Sequence, residues 1–322
     1  MATISKSNSD NFLTWQNVDG LLPLSFLQRD GINGNPAGIF RYSVTVSASQ
    51  TIGLPMVEDD DTLYDFVVNY GDGDPEQHIT TFADPNTDHT YTDAGTYDVE
   101  IEGLFDSIDW SDSPTSLIEI KQWGVAKLIA SSFSGCSNFT TISATDTPLI
   151  FGTSLATLFL NCTSFNGNVS FLNTSTVTTM VNMFNGCSVF NQSVSSFDTA
   201  LVTSFAGMFD GCTIFNQPLP FDTGLSITMA FMLNDCPAFD QDLSAWDVGE
   251  VLTLEDFMAG SQVALSTVNY DLLLIGWDDQ TVQTSGFDAA FGLSEYTGGG
   301  EAAAARAGLI ANNWAITDGG IA

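Results

Sequence analysis

Five cysteines recur at an almost fixed interval. Cys136, Cys162, Cys187, Cys212 and Cys236 are separated by 26, 25, 25 and 24 residues, and Gly260 falls 24 further on. Phe133, Phe159, Phe184, Phe209 and Phe257 keep the same beat three residues ahead of these positions, with Leu233 as the exception. Phe139, Phe165, Phe190, Phe215 and Phe239 lie three residues after each cysteine. A period of this length, held over five or six units, indicates coils that stack on one another. One coil cannot bury its own apolar side, so stacking must close the core and place equivalent residues in columns. The Phe–Cys–Phe positions are the expected core, with Cys as a small buried hydrophobe. Five is an odd number, and pairing neighbours in a column would distort the coils, so reduced, buried thiols are expected. A zinc site would need short paired spacings and further ligands nearby. The two histidines, His78 and His89, lie elsewhere.

Other columns follow from the same register. Asn191-Gln192, Asn216-Gln217 and Asp240-Gln241 share one repeat position, which Asn166 begins. Asn in such a column bonds the backbone of a turn. Gln192, Gln217 and Gln241 are also the candidate ligand-facing residues. Asp198, Asp222 and Asp247 follow an aromatic residue and are expected to cap short helical turns. The segments SVSSF, PLPF and DLSAW, at 193–197, 218–221 and 242–246, are expected to supply the short strand of each coil.

The stretch MFNGCSVFNQSVSSFDTALVTSFAGMFDGC resembles the repeats of BspA-like leucine-rich-repeat surface proteins, found on bacteria, in mycoplasma lipoproteins, in some protists and in marine phage genomes. The resemblance runs from about Ile118 to about Gly260 and implies a solenoid used for adhesion and recognition, with no catalytic residues to carry over. The first units keep Cys and Phe but lack the Asn-Gln and aromatic-Asp words, as capping coils would.

Ahead of the repeats, YSVTV alternates like a half-buried strand. LYDFVVNYGDGD reads as a strand ending in a Gly-Asp-Gly turn, and HTYTDAGTYDVEIEG as a turn followed by a strand with Tyr97, Val99 and Ile101 on one face. The words NYGDGD and HTYTDAGTYDVEI resemble the polycystic-kidney-disease (PKD) domain, which implies an immunoglobulin-like β-sandwich acting as a spacer or weak binding surface. Asp72 and Asp74 flank Gly73 and are candidate calcium ligands, since carboxylates are hard oxygen donors. A solvated acidic loop is the preferred reading of them, because the spacing is not that of an EF-hand. His89 beside Asp72 or Asp93 suggests acid–base chemistry only in outline, because the resemblance gives the His a structural role.

After Gly260 the period stops. STVNYDLLLIGWDDQ begins with a Ser/Thr cap and puts Tyr270, Leu273, Leu274 and Trp277 on one helical face. GGGEAAAARAGLIANN reads as a second helix, WAITDGG as a closing strand, and Arg306 as the partner of a nearby carboxylate. The expected class is mainly β: a β-sandwich, then a leucine-rich-repeat-type β-solenoid with short helical turns and a helical C-terminal cap. The expected divisions are 1–39, an arm for attachment or assembly; 40–105, the sandwich; 106–265, the solenoid; and 266–322, the cap.

Charge narrows the function classes. The chain has 39 acidic and 6 basic residues, a formal charge of −33, with no Lys or Arg between Lys127 and Arg306. Phosphate backbones need cations, so nucleic acid and anionic membranes are poor partners. An acidic, lysine-poor surface suits a salty or extracellular medium that screens self-repulsion. No apolar run reaches membrane-spanning length. The opening segment lacks the apolar core of a secretory signal, so assembly in the cytoplasm, or loss of a signal, is expected. A glycosidase would need two close carboxylates with separated pKa values, whereas the carboxylates here recur at equivalent turn positions, as scaffolding does. The reading is a non-enzymatic structural protein on a virion exterior (fibre, spike or capsid-decorating appendage) that recognises a host-surface glycan or protein. On that reading residues 1–39 join other virion proteins, and homo-oligomers can form. The alternatives are a bacterial cell-surface adhesin and a solenoid carbohydrate-active enzyme. No cofactor is expected apart from the calcium candidates.

Overall fold

The computed structural model describes residues 38–57, 64–105, 107–110, 114–124, 126–260, 262–280 and 288–322 and is mainly β. The proposed arm, apart from its last two residues, lies outside the described residues. The chain opens with β1 (Ile39–Val46), β2 (Gln50–Gly53), β3 (Asp65–Asn69), β4 (Gln77–Ile79), β5 (Asp88–Tyr91) and β6 (Gly95–Leu104). Period-two alternation buries Phe40, Tyr42, Val44 and Val46 of β1 and Val99 and Ile101 of β6. β1 and β6 pair antiparallel, from Ile39 opposite Glu102 to Val46 opposite Gly95. β6 pairs with β3, and β3 with β4, while β2 and β5 form a separate pair.

The chain then changes from antiparallel to parallel pairing. β7 (Ser107–Ile108), β8 (Leu117–Gln122), β9 (Lys127–Leu128), β10 (Thr141–Ile142) and β11 (Leu149–Ile150) follow. β8 pairs antiparallel with β1, and β10 adds to β8 in parallel, giving a six-stranded sheet ordered β10-β8-β1-β6-β3-β4. β7, β9 and β11 form a parallel three-stranded sheet. The first sheet therefore carries the earliest repeats on its edge.

From there the repeats stack column on column. Ser154, Thr179, Ser204, Thr228 and Thr253 are joined by successive parallel bridges. Phe159, Phe184 and Phe209 donate their N–H to Met183, Met208 and Met232 of the next coil, each at 2.9 Å. Every cysteine and periodic Phe named above is buried. Successive Phe133, Phe159, Phe184 and Phe209 rings stack at 5.3 to 5.6 Å, and Phe165, Phe190, Phe215 and Phe239 at 5.9 to 6.1 Å.

Three sequence expectations are corrected by this register. Segments 193–197, 218–221 and 242–246 are not strands; the parallel bridges fall at the Ser/Thr column instead. Helical turns are not formed within the coils among the described residues, because each turn closes once, as Val202 N to Thr199 O does at 2.9 Å, and is not continued. Gly260 stands with the residue before each cysteine, and Phe257 replaces Met232 in its column, since Leu233 N bonds Phe257 O and Asp235 N bonds Ala259 O.

Two positions per coil carry positive φ. One column is Ser131, Thr157, Asn182, Gly207, Phe231 and Asp256; the other is Gly135, Asn161, Gly186, Gly211, Asp235 and Gly260. The second explains why Gly, Asn or Asp precedes each cysteine, since these residues tolerate the left-handed region best.

The last coil is covered by α1 (Thr267–Asp278) and α2 (Gly300–Ala311), with β12 (Asp288–Ala290), β13 (Glu295–Tyr296), β14 (Ala315–Thr317) and β15 (Gly320–Ile321) paired parallel as β12–β14 and β13–β15. Ser266 caps α1 through the Asn269 N–H, and Tyr270, Leu273, Leu274 and Trp277 are its buried face, as the sequence indicates. Arg306 on α2 pairs with Asp318 at 2.7 Å. One continuous apolar core runs from Phe40 to Trp314. Among the described residues, no helix is long and apolar enough to cross a membrane.

Candidate functional site

The repeated polar residues are consumed first by holding coil to coil. Asn166 Oδ1 accepts from Asn191 N at 2.9 Å and from Gln192 Nε2 at 3.1 Å. Asn191 Oδ1 does the same for Asn216 N and Gln217 Nε2, and Asn216 Oδ1 for Asp240 N and Gln241 Nε2. Gln192, Gln217 and Gln241 are half-buried, with their amide nitrogens committed to this column. The column ends in the cap, where Asp240 Oδ1 accepts from Ser266 N, Ser266 Oγ and Asn269 Nδ2. Burial would raise the Asp240 carboxyl, but these donors outweigh it and hold it below the ordinary value.

A second column was not foreseen. Buried Thr199 Oγ1 donates to Asp222 O at 3.0 Å and accepts from Asp222 N at 2.8 Å. Thr174 treats Asp198 the same way, and Thr223 donates to Asp247 O. Asp198, Asp222 and Asp247 turn their own carboxylates to the N–H two residues on, in Asx turns. Val248 ends the hydroxyl series, and Gln280 stands in for it, accepting from Val248 N and donating to Trp246 O. The signal was present as the repeated Asn-Thr and Asp-Thr pairs at 173–174, 198–199 and 222–223.

The five cysteines are free thiols. Each of the last four donates its S–H to the carbonyl of a Phe one coil earlier: Cys162 to Phe133, Cys187 to Phe159, Cys212 to Phe184 and Cys236 to Phe209, at 2.9 to 3.0 Å. That carbonyl already closes its own turn, so the thiol takes its second lone pair. Burial pushes the Cys162 thiol up to about 12 and raises the others too, so none is a ready thiolate.

Asp72 and Asp74 do come together, with His89, their ligand atoms all within 4.8 Å. His89 Nε2 lies 2.6 Å from Asp72 Oδ2, and Asp72 Oδ1 accepts from Asp74 N at 3.1 Å. The His89 ring stacks on Tyr70 at 4.1 Å and meets Tyr91 edge-on. Burial would raise the Asp72 carboxyl, but the His89 and Asp74 contacts win and lower it. Calcium takes six to eight oxygens, and this cluster offers two carboxylates, one already bonded at both oxygens, plus an imidazole nitrogen. The donor set fits a strut that ties the Gly-Asp-Gly turn to β5 better than a calcium cage. Asp93 is not in the cluster.

With the coils laid out, the repeats can be compared with known families. Residues 127–225, 153–270 and 219–284 match the family described as Mycoplasma protein of unknown function, DUF285. The repeat region is thus similar to that family. The three matches overlap and are offset, as a repeat sequence produces when one unit aligns in several registers. At a coarse level this supports the likeness to BspA-like repeat surface proteins. No curated protein and no solved structure matches the chain.

Proposed function

We propose that the chain is a non-enzymatic recognition and structural protein displayed on the exterior of a virion, built as a leucine-rich-repeat-type solenoid carried by a PKD-like, immunoglobulin-type sandwich. The column architecture carries this reading. Asn, Gln, Thr and Cys recur because each bonds the neighbouring coil, which is the economy of a scaffold whose outer positions are left to vary. The five buried free thiols favour folding in a reducing compartment before exposure outside. A strongly acidic surface with a cation-free stretch from 128 to 305 suits neutral polar ligands such as glycans better than anionic ones. Affinity at one such surface is modest, and many copies on one particle supply avidity.

The likeness to a family described from Mycoplasma and to BspA-like repeat surface proteins supports a second reading, a bacterial cell-surface adhesin. Antibodies raised against the purified chain separate the two. Gold labelling of purified particles supports the virion reading. Labelling confined to intact cells overturns it in favour of the adhesin. Glycan-array binding by the purified protein tests recognition in either setting.

A further inference from the structure

The bridge face of the stack carries a surface that neither column bonding nor display explains. Relative to the bridged Ser/Thr column, the residues three and one before it point outward, while Val177, Val202 and Val251 between them are fully buried. The outward positions hold exposed apolar side chains on four of the five coils: Phe151 (63%), Leu201 (47%), Leu225 (51%), Ile227 (47%) and Leu252 (54%), with Thr176 and Thr178 in the coil between the first two. Segments 151–156, 176–181, 201–206 and 225–230 contain no ionisable residue, in a chain of charge −33. Charge returns only at the two ends. At one end Lys127, the last cation before Arg306, sits 5.7 Å over the Phe151 ring. At the other, segment 250–255 is bounded by exposed Glu250 and Glu255.

A cyclic two-fold interface must be complementary to itself. A two-fold axis through the middle coil, 201–206, lays segment 151–156 of one copy on 250–255 of the other. With the axis lying in the interface along that coil, the coil order reverses while each residue keeps its place along the strand. Phe151 and the Lys127 above it then face Glu250 of the second copy, and the reciprocal contact forms at the other end. At this neutral centre two copies meet without opposing carboxylates.

We propose that this face pairs two copies of the chain antiparallel, with Leu201, Leu225 and Ile227 at the centre and a Lys127–Glu250 contact at each end. Five coils at about 4.8 Å and six residues at about 3.3 Å give a footprint near 20 by 20 Å per copy. The total, on the order of 800–1,000 Å², lies at the weak end of specific interfaces. Repulsion between the acidic bodies opposes the pair, so salt strengthens it.

Sedimentation equilibrium of the full chain between about 0.1 and about 1 M sodium chloride, over which the Debye length falls from about 10 to about 3 Å, provides the test. Wild type is expected to dimerise more tightly as salt rises, and L225D to remain monomeric with an unchanged circular dichroism spectrum. K127E and E250K are each expected to weaken the dimer about tenfold, and the K127E/E250K double variant to restore it. E250K makes the chain less acidic, so its weakening separates a local contact from overall charge. A wild type that stays monomeric at high salt, a dimer indifferent to L225D, or a double variant no better than the singles overturns the proposal. None of these outcomes bears on whether the stack recognises a surface.

Discussion

Thr199 sits where two coils meet, and its hydroxyl answers both the N–H and the carbonyl of Asp222. Thr199→Val keeps the shape and removes both bonds. It is expected to cost about 1–3 kcal/mol, the penalty for leaving buried polar groups unpaired, read from urea unfolding. A cost within error of zero would show that the column does not hold the coils. Asp210 presents the opposite case. Burial raises its carboxyl, and nearby Asp235 adds to this, while the Asn234 and Asn185 amides only partly offset it. A carboxyl raised on folding contributes stability below its unfolded value of about 3.9, and that contribution is lost as pH rises through the higher folded value. Asp210→Asn, which continues the Asn185 and Asn234 column, is expected to melt higher than wild type at pH 7. The advantage should shrink as the pH falls and vanish well below about 3.9, where the wild-type carboxyl is protonated in both states. A variant no more stable at neutral pH contradicts this. The Cys and Phe positions were legible in the sequence because burial fixes their type. Thr199 was not, because a buried hydroxyl bonding a backbone one coil away looks like any other surface threonine.

Within one coil, the paired Phe rings are the main apolar mass. Phe184 and Phe190 stack at 4.2 Å inside their coil, and each stacks on its equivalents in the coils beside it. Phe190→Ala is expected to cost about 3–5 kcal/mol, measured by denaturant unfolding, with hydrogen-exchange protection falling in the neighbouring coils as well. Unchanged melting would contradict the ladder. Ser226 is the converse: it is fully buried, its hydroxyl has no hydrogen-bond partner, and Val202 and Val251 occupy its column on either side. Ser226→Val should raise the melting temperature, and a lower one would mean that the column is too tight there. The elements at the two ends were readable because β1, β6 and α1 keep clean periods of 2 and 3.6. The coils were readable in period but not in local structure. SVSSF and PLPF have strand-like composition, yet pairing is decided by which positions of adjacent coils face each other, and that is a property of the stack. The same applies to the last coil, where a return from 24 to 25 residues moved Gly260 and Phe257 one column from their expected places.

Across the whole molecule, one core passes from the antiparallel sheet through the coils to the helical cap, and both ends of the stack are covered. β8 and β10 join the first sheet to the first coils, and Gln280, Trp277 and Asn269 satisfy the last one. The Asp72–Asp74–His89 cluster was legible as residue types. Which carboxylate His89 meets was not, because spacing alone does not choose between Asp72, 17 residues back, and Asp93. The central claim is that residues a repeat apart lie one coil apart. Dipolar coupling between nitroxide pairs placed on the exposed column Ser164, Val189, Ile214 and Ala238 tests it most directly, since the buried native thiols should stay unlabelled in the folded protein. Backbone separations from Ser164 are expected to grow in equal steps of about 4.8 Å, to about 14 Å at Ala238, although the two are 74 positions apart in the sequence. A Ser164–Ala238 pair too distant to couple, or distances that fail to rise evenly along the column, would contradict the account.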